Sequence, residues 1–201
     1  MTDTTAAASG TTASGTDRPL TAVALVCTLT PSPAASSSEL LASQILDALG
    51  EHGVEGDMGD GDAWPGIRDR IRAADILVVS TPTWMGHMSS IAQRVLERLD
   101  AELSETDDEG RPILFGRVAV VGVVGNEDGA HKITADLFQG LNDVGFTVPA
   151  QGGTYWNGEA MHTVDYNQLP AVPSATASAT ATLAANAAHL ARALRADPYP
   201  A

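Results

Sequence analysis

Apolar residues fall along this chain in two alternating patterns: short runs with hydrophobic side chains at consecutive positions, and longer stretches where they recur every three or four. The runs are Thr21-Ala-Val-Ala-Leu-Val-Cys-Thr28, Asp75-Ile-Leu-Val-Val-Ser80 and Val118 to Val124. A strand apolar on both of its faces is one covered by helices on each side, so these runs predict central strands. The longer stretches predict helices. From Glu39 to Leu49, Leu40, Leu41, Ile45 and Leu49 make one stripe closed by Gly50, and Ile67, Ile71 and Ala74 follow a helix start at Trp64-Pro65. Ser89 to Leu103 turns Ile91, Val95, Leu96 and Leu99 inward, Ala130 to Leu141 is a further helix, and Ala175 to Arg195 closes the chain as an Ala-rich one. Phe146 to Pro149 begins a last strand.

Strands alternating with helices predict a doubly wound α/β domain with a parallel sheet, because parallel neighbours need right-handed crossovers that put helices on both faces. The expected domain covers residues 20–196, flanked by tails at 1–19 and 197–201. Where such a fold places its second strand, the chain reads Gly53-Val-Glu-Gly-Asp-Met-Gly-Asp-Gly-Asp-Ala63, and only Val54 and Met58 suit a core. The edge strand is therefore expected to be short or missing. A poorly covered first strand is relieved by association or by the loop folding over it, and a homodimer or homotetramer is expected.

Charge narrows the partners. With 11 Lys+Arg against 25 Asp+Glu, the formal charge is -14, a field that repels phosphate backbones and anionic lipid surfaces. Neither nucleic acid nor a membrane is an expected partner. Met1 to Asp17 lacks a basic start and a long apolar stretch, so it reads as a flexible tail rather than a signal or anchor, and a cytoplasmic location is expected. The single cysteine, Cys27, excludes an internal disulfide and reads as a small buried hydrophobe.

Ligands of open parallel sheets bind beyond the carboxyl ends of the strands, so the segments after each strand carry the candidate chemistry. After the first come Ser32 and Ser36 to Ser38, hydroxyls at a helix N-terminus that suit an anion or serve only as helix caps. After the second comes Thr81-Pro-Thr-Trp-Met-Gly-His-Met88, a Pro-fixed turn where Trp84 and Met85 form an apolar wall for a ring or pack into a crevice or subunit contact. After the third comes Gly125-Asn-Glu-Asp-Gly-Ala-His131, whose acids suit a helix start through the macrodipole alone. Tyr155 and Trp156, past the last strand, either shape a stacking slot or anchor the closing segment. No metal site is expected: His87 and His131 have no partner at ligand spacing, and Arg68 stands where the Asp57, Asp60 and Asp62 cluster would need a closing Glu to hold calcium.

The segments at 81–86, 125–131 and 154–161 (Thr-Tyr-Trp-Asn-Gly-Glu-Ala-Met), in this order, resemble segments of the NADPH-dependent FMN reductases of the flavodoxin-like superfamily, over most of Thr21 to Met161. The resemblance implies a flavodoxin-like sheet of order 2-1-3-4-5 and FMN as cofactor. Ser32, Ser36, Ser37 and Ser38 would hold its phosphate, Pro82, Thr83, Trp84, Met85 and Gly86 would border the isoalloxazine, and Gly125, Asn126, Glu127, Asp128 and Gly129 would close its other edge. NAD(P)H would be the co-substrate and a quinone, free flavin or similar small molecule the electron acceptor, with the flavin carrying the chemistry and no side chain acting as nucleophile. Many relatives have Gly-Ser-Pro-Arg in the first loop; Pro31-Ser-Pro-Ala34 lacks the arginine, so phosphate affinity would rest on hydroxyls, N–H groups and the helix dipole. Two alternatives stay open: an electron carrier of flavodoxin type, and a flavodoxin-like interaction domain that has lost FMN.

Overall fold

The computed structural model describes residues 18–29, 34–57, 64–160 and 162–200. Its parallel sheet is built from β1 (Leu20–Val26), β2 (Val54–Asp57), β3 (Ile76–Trp84), β5 (Val118–Gly125) and β6 (Gly153–Asn157), in the order β2-β1-β3-β5-β6. A two-residue strand, β4 (His87–Met88), runs antiparallel to the end of β3. Setting that short return aside, the order is the predicted 2-1-3-4-5.

Alternation along each strand explains the two-sided apolar runs. Ile76 and Val78 of β3, with Val118 and Val120 of β5, face α1 (Ser37–Gly50) and α5 (Ser174–Ala196). Leu77 and Val79, with Ala119, Val121 and Val123, face α2 (Trp64–Ala73), α3 (Ser90–Leu99) and α4 (Ala130–Asp143). Each helix contributes one stripe, such as Leu41, Ile45 and Leu49 on α1 or Ile133, Leu137 and Leu141 on α4, all fully buried. Leu40 does not join its stripe and faces outward, since it sits one position off the i, i+4, i+8 row.

The edge strand is present and short. Leu20 to Val23 pair with Val54 to Asp57, and Val54 completes the α1–α5 core. Met58, Asp60 and Asp62 lie outside the described residues.

Three boundaries differ from the pattern. β3 runs four residues beyond Ser80, carried by Thr81 and Pro82 pairing with Val123 and Val124. Helix α3 stops at Leu99 and tightens into a 3-10 turn, Asp100–Ser104, which buries Glu102 against Arg68 of α2. Leu103, at the expected end of that helix, is exposed. The last strand does not begin at Phe146: Thr147 makes a single bridge to Val118, and the chain then leaves the sheet at Pro149, which has no N–H to donate. After a turn in which the Gly152 N–H bonds the Pro149 carbonyl at 3.1 Å, it returns at Gly153.

Both ends of the described chain are tied to the fold. Arg18 grips the Asp75 carboxylate with two guanidinium nitrogens, at 2.9 and 2.8 Å, Arg195 of α5 adds a third bond at 2.6 Å, and the Thr21 N–H a fourth at 2.9 Å. Past Ala196, Tyr199 turns back onto the Phe115 ring edge and the Thr147 hydroxyl. Burial pushes the Asp75 carboxyl up, but the two guanidinium groups and the N–H outweigh it and hold its pKa below the ordinary carboxylate value. A pKa lowered by folding gives stability that is full above the unfolded-state value and is lost as pH falls through the folded one. Asp75→Asn is therefore expected to lower the unfolding free energy by about 1–3 kcal/mol at neutral pH. Urea midpoints should show this gap, and it should narrow as pH falls below the usual carboxylate range.

Candidate functional site

All the long strands end at one rim, and between their ends the structure opens a cleft of about 700 Å³, within the range typical of small-molecule sites. It lies at the switch point, where the connection after β1 leads to β2 on one side and the next strand, β3, lies on the other. Four segments wall it: 28–29 with 35–38, 82–85, 124–127 and, with Trp156, 162–167.

The first wall is the start of α1. Ser36 is extended, with φ -127 and ψ 134, and its hydroxyl accepts the Glu39 N–H at 3.5 Å, so it is a helix cap that also faces the cleft. Ser37 accepts the Asn167 N–H at 3.3 Å, and the buried Ser38 carbonyl accepts the Ser80 hydroxyl at 2.7 Å. Ser36 thus caps the helix, and Ser36, Ser37 and Ser38 all line the cleft. Ser32 lies outside the described residues.

The second wall is a hairpin rather than a Pro-fixed turn. Pro82 belongs to β3, where its missing N–H faces the side on which β1 has already ended at the Val26 to Ser80 pair. The turn itself is Met85-Gly86, with φ 49 and φ 74, between the paired Trp84 and His87. Positive φ at both central residues is what a two-residue hairpin of matching twist requires. It lifts Trp84 and Met85 to the mouth of the cleft, 52% and 85% exposed. His87 bonds the Met85 carbonyl at 2.8 Å, a local role.

In the third wall, Gly125, Asn126 and Glu127 line the cleft, whereas Gly86, Asp128 and Gly129 do not. These last three join the loops instead. Gly129 has φ 134, and a Cβ there would stand 2.7 Å from the Gly86 Cα. The Asp128 carboxylate accepts the Gly129 N–H at 2.7 Å, and the Glu127 carboxylate reaches across to accept the Met85 N–H at 2.5 Å. Glu127 therefore braces the exposed hairpin as well as suiting a helix start.

Of the pair on β6, Trp156 reaches the cleft, while Tyr155, on the opposite face, meets the His131 ring edge-on at 4.9 Å. The loop after β1 also lines the cleft through Thr28 and Leu29, and sequence reasoning missed the 162–167 segment. A signal for the latter existed: Asp165 stands three residues before Gln168, the spacing of a capping box, and the Gln168 side chain accepts the Asp165 N–H at 2.9 Å. Among the described residues lining the cleft, Glu127 and Asp165 are acidic, His162 is the one histidine and none is Lys or Arg. Cys27 lies below the floor, its thiol pushed up to about 12 by burial, so it is a packing residue.

The Thr83 hydroxyl, in the hairpin wall, is buried and has no hydrogen-bond partner among the described residues.

A doubly wound parallel sheet with a ligand-sized cleft at its switch point defines a flavodoxin-like domain. The chain belongs to the NADPH-dependent FMN reductase family, whose model matches residues 23–161; FMN and NADPH are the cofactor and co-substrate that the family's name carries. It is 34% identical over 139 residues to 8-demethyl-8-aminoriboflavin-5'-phosphate synthase of Streptomyces davaonensis, covering 69% of this chain and 54% of that protein. It is also 32% identical over 161 residues to the divalent metal cation transporter MntH of Mycobacterium bovis, covering 70% of this chain and 24% of that protein. The chain thus spans about half the length of one curated relative and about a quarter of the other. No helix among the described residues is long and apolar enough to cross a membrane. Among solved structures, RosB with bound 8-demethyl-8-formylriboflavin-5'-phosphate is similar with a TM-score of 0.80 at 28% identity, covering 90% of this chain and 82% of RosB. A flavodoxin from the domain Archaea shares the fold at a TM-score of 0.59 and 11% identity, covering 86% and 99%.

Because a methyl at Gly129 has no room against Gly86, Gly129→Ala is expected to push the two loops apart and lower stability by about 1–3 kcal/mol, read from the thermal or urea midpoint.

Proposed function

We propose that the cleft holds FMN and that the chain is an FMN-dependent oxidoreductase taking electrons from NAD(P)H. The observation that supports this most is the cleft's composition: a helix N-terminus with hydroxyls at one end, and exposed Trp84 and Met85 at the mouth of the other. The residues fit the group. The α1 N-terminus with Ser36 and Ser37 suits a phosphate without any cation, through N–H groups and the dipole. Trp84 and Trp156 offer apolar faces to a flat ring, and Gly125 and Asn126 offer backbone to its polar edge. The orphaned Thr83 hydroxyl is a polar group in the hairpin wall that a ligand's polar edge would satisfy after a small shift of the loop.

When bound, FMN supplies a two-electron carrier that accepts hydride from a nicotinamide and passes it on. The chain's own part is to orient, to shield one face of the ring and to leave the other open at the Trp84-Met85 mouth for a nicotinamide and then an acceptor. A quinone, a free flavin or a similar small molecule suits that open apolar mouth. We place the protein in the cytoplasm as a homodimer or homotetramer.

A second reading draws on the relatives named for riboflavin phosphate chemistry: a riboflavin phosphate derivative enters the same cleft as substrate rather than as cofactor. Recovering the flavin after turnover separates the two, since a cofactor returns unchanged in mass and a substrate does not.

Purified protein is expected to perturb the visible spectrum of added FMN and to oxidise NADPH or NADH steadily with a quinone present. No spectral change would defeat the proposal; binding without nicotinamide oxidation would favour an electron carrier. Trp84→Ala is expected to weaken FMN binding by about tenfold, the size of a lost aromatic stack, and His131→Ala to leave it nearly unchanged. Equal effects in a flavin titration would remove the hairpin as the ring site.

A further inference from the structure

The fourth wall of the cleft, residues 162–167, lies beyond the segment that the family model matches, which ends at 161. It is a strap tied down at both ends. At one end the Asn126 amide donates to the His162 carbonyl and to the Asp165 carboxylate, each at 3.3 Å. At the other, the Tyr166 hydroxyl donates to Gln44 of α1 at 2.6 Å and the Asn167 N–H to the Ser37 hydroxyl at 3.3 Å. The strap therefore runs from the loop after β5 to the first turns of α1, which are the ring end and the phosphate end on the FMN reading.

What the strap brings to the cleft is mostly polar: His162, Thr163, Asp165 and Asn167, with the Tyr166 ring tilted against Trp156 at 5.5 Å. A flat aromatic ring needs apolar faces, which the opposite wall has. A phosphate would be repelled by Asp165, which has no Lys or Arg beside it in the lining. Neutral hydroxyls suit this wall, since a carboxylate and amides accept and donate to them without a charge penalty.

We propose that the 162–167 strap is a clasp for the polyhydroxyl chain that joins the ring and phosphate of a flavin, with Asn126 as the residue that positions it. This rests on the FMN reading of the cleft. Asn126 does so by its amide donor, so Asn126→Asp removes the donor and sets a second carboxylate against Asp165, releasing the strap. The double variant N126D/D165N restores the bond between positions 126 and 165 with reversed direction, without the donor to the His162 carbonyl.

The test is a titration of the full chain with FMN, riboflavin and lumiflavin, the ring without the polyhydroxyl chain, followed by flavin fluorescence. Wild-type protein is expected to prefer riboflavin over lumiflavin by about tenfold or more, a preference that falls to within about twofold in N126D and returns in the double variant. FMN binding should weaken with that of riboflavin. A preference unchanged in N126D, or an equal loss for all three compounds, overturns the clasp. If the wild type binds FMN normally while the preference is absent, only the clasp fails; if it binds none of the three, the FMN reading fails and takes the clasp with it. Should N126D not fold, Tyr166→Phe, which frees the strap from Gln44 without touching the loop, is read in the same way.

Discussion

Three buried hydroxyls, those of Ser80, Thr81 and Ser89, hold the carboxyl ends of the two central strands against the helices that follow them. Ser80 donates to the Ser38 carbonyl at 2.7 Å, and Ser89 donates to the Cys27 carbonyl at 2.6 Å while accepting the Ala92 N–H at 3.1 Å. Thr81 accepts the Ser89 N–H at 3.1 Å. The Cys27 N–H bonds the Ser80 carbonyl at 2.8 Å, which completes the set. Leaving any one of these groups unpaired in the interior costs about 1–3 kcal/mol, so the set behaves as a unit. Its consequence is positional. The starts of α1 and α3 are fixed to the strand ends, and the cleft has a rigid floor.

Above that floor the walls differ in kind. The α1 wall is a helix end and moves with the sheet. Beyond the pairing of β3 with β4, the hairpin wall is held by a carboxylate bond from Glu127 and by the close approach of Gly86 and Gly129, because neither Met85 nor Gly86 packs into the core. The strap wall is held by side-chain bonds at its two ends. Anchoring to the core therefore decreases from the α1 wall toward the mouth of the cleft.

The acidity of the chain does not concentrate a counter-charge in the cleft. Glu127 is spent on the hairpin and Asp165 on the strap, so both acids act through hydrogen bonds to protein groups. Anion affinity without a cation rests on the N–H groups of a helix end, which work only if the helix is held still. The Ser80 to Ser38 bond does that holding.

Much of this was legible from residue order. Two-sided apolar runs and single helical stripes are local consequences of periods 2 and 3.6, and they led to the doubly wound sheet and to the loops after β1, β3 and β5, while the strand order came from the family resemblance. Boundaries decided by non-local pairing were not legible: β3 continues through Pro82 only because β5 lies beside it, and the last strand waits until Gly153 because Pro149 must leave the ladder. Which loop residues face the cleft was likewise beyond reach, since Asp128 is as polar as Asn126 and Glu127 but sits, with Gly129, where the chain turns back toward Gly86. By itself, then, the order of residues determined the fold class and the rim at which chemistry is possible, because those follow from periodicity along the backbone. The tertiary structure alone decided the division of that rim between ligand-facing and loop-bracing groups, and the strap's place across it, because both depend on contacts between segments far apart in the chain.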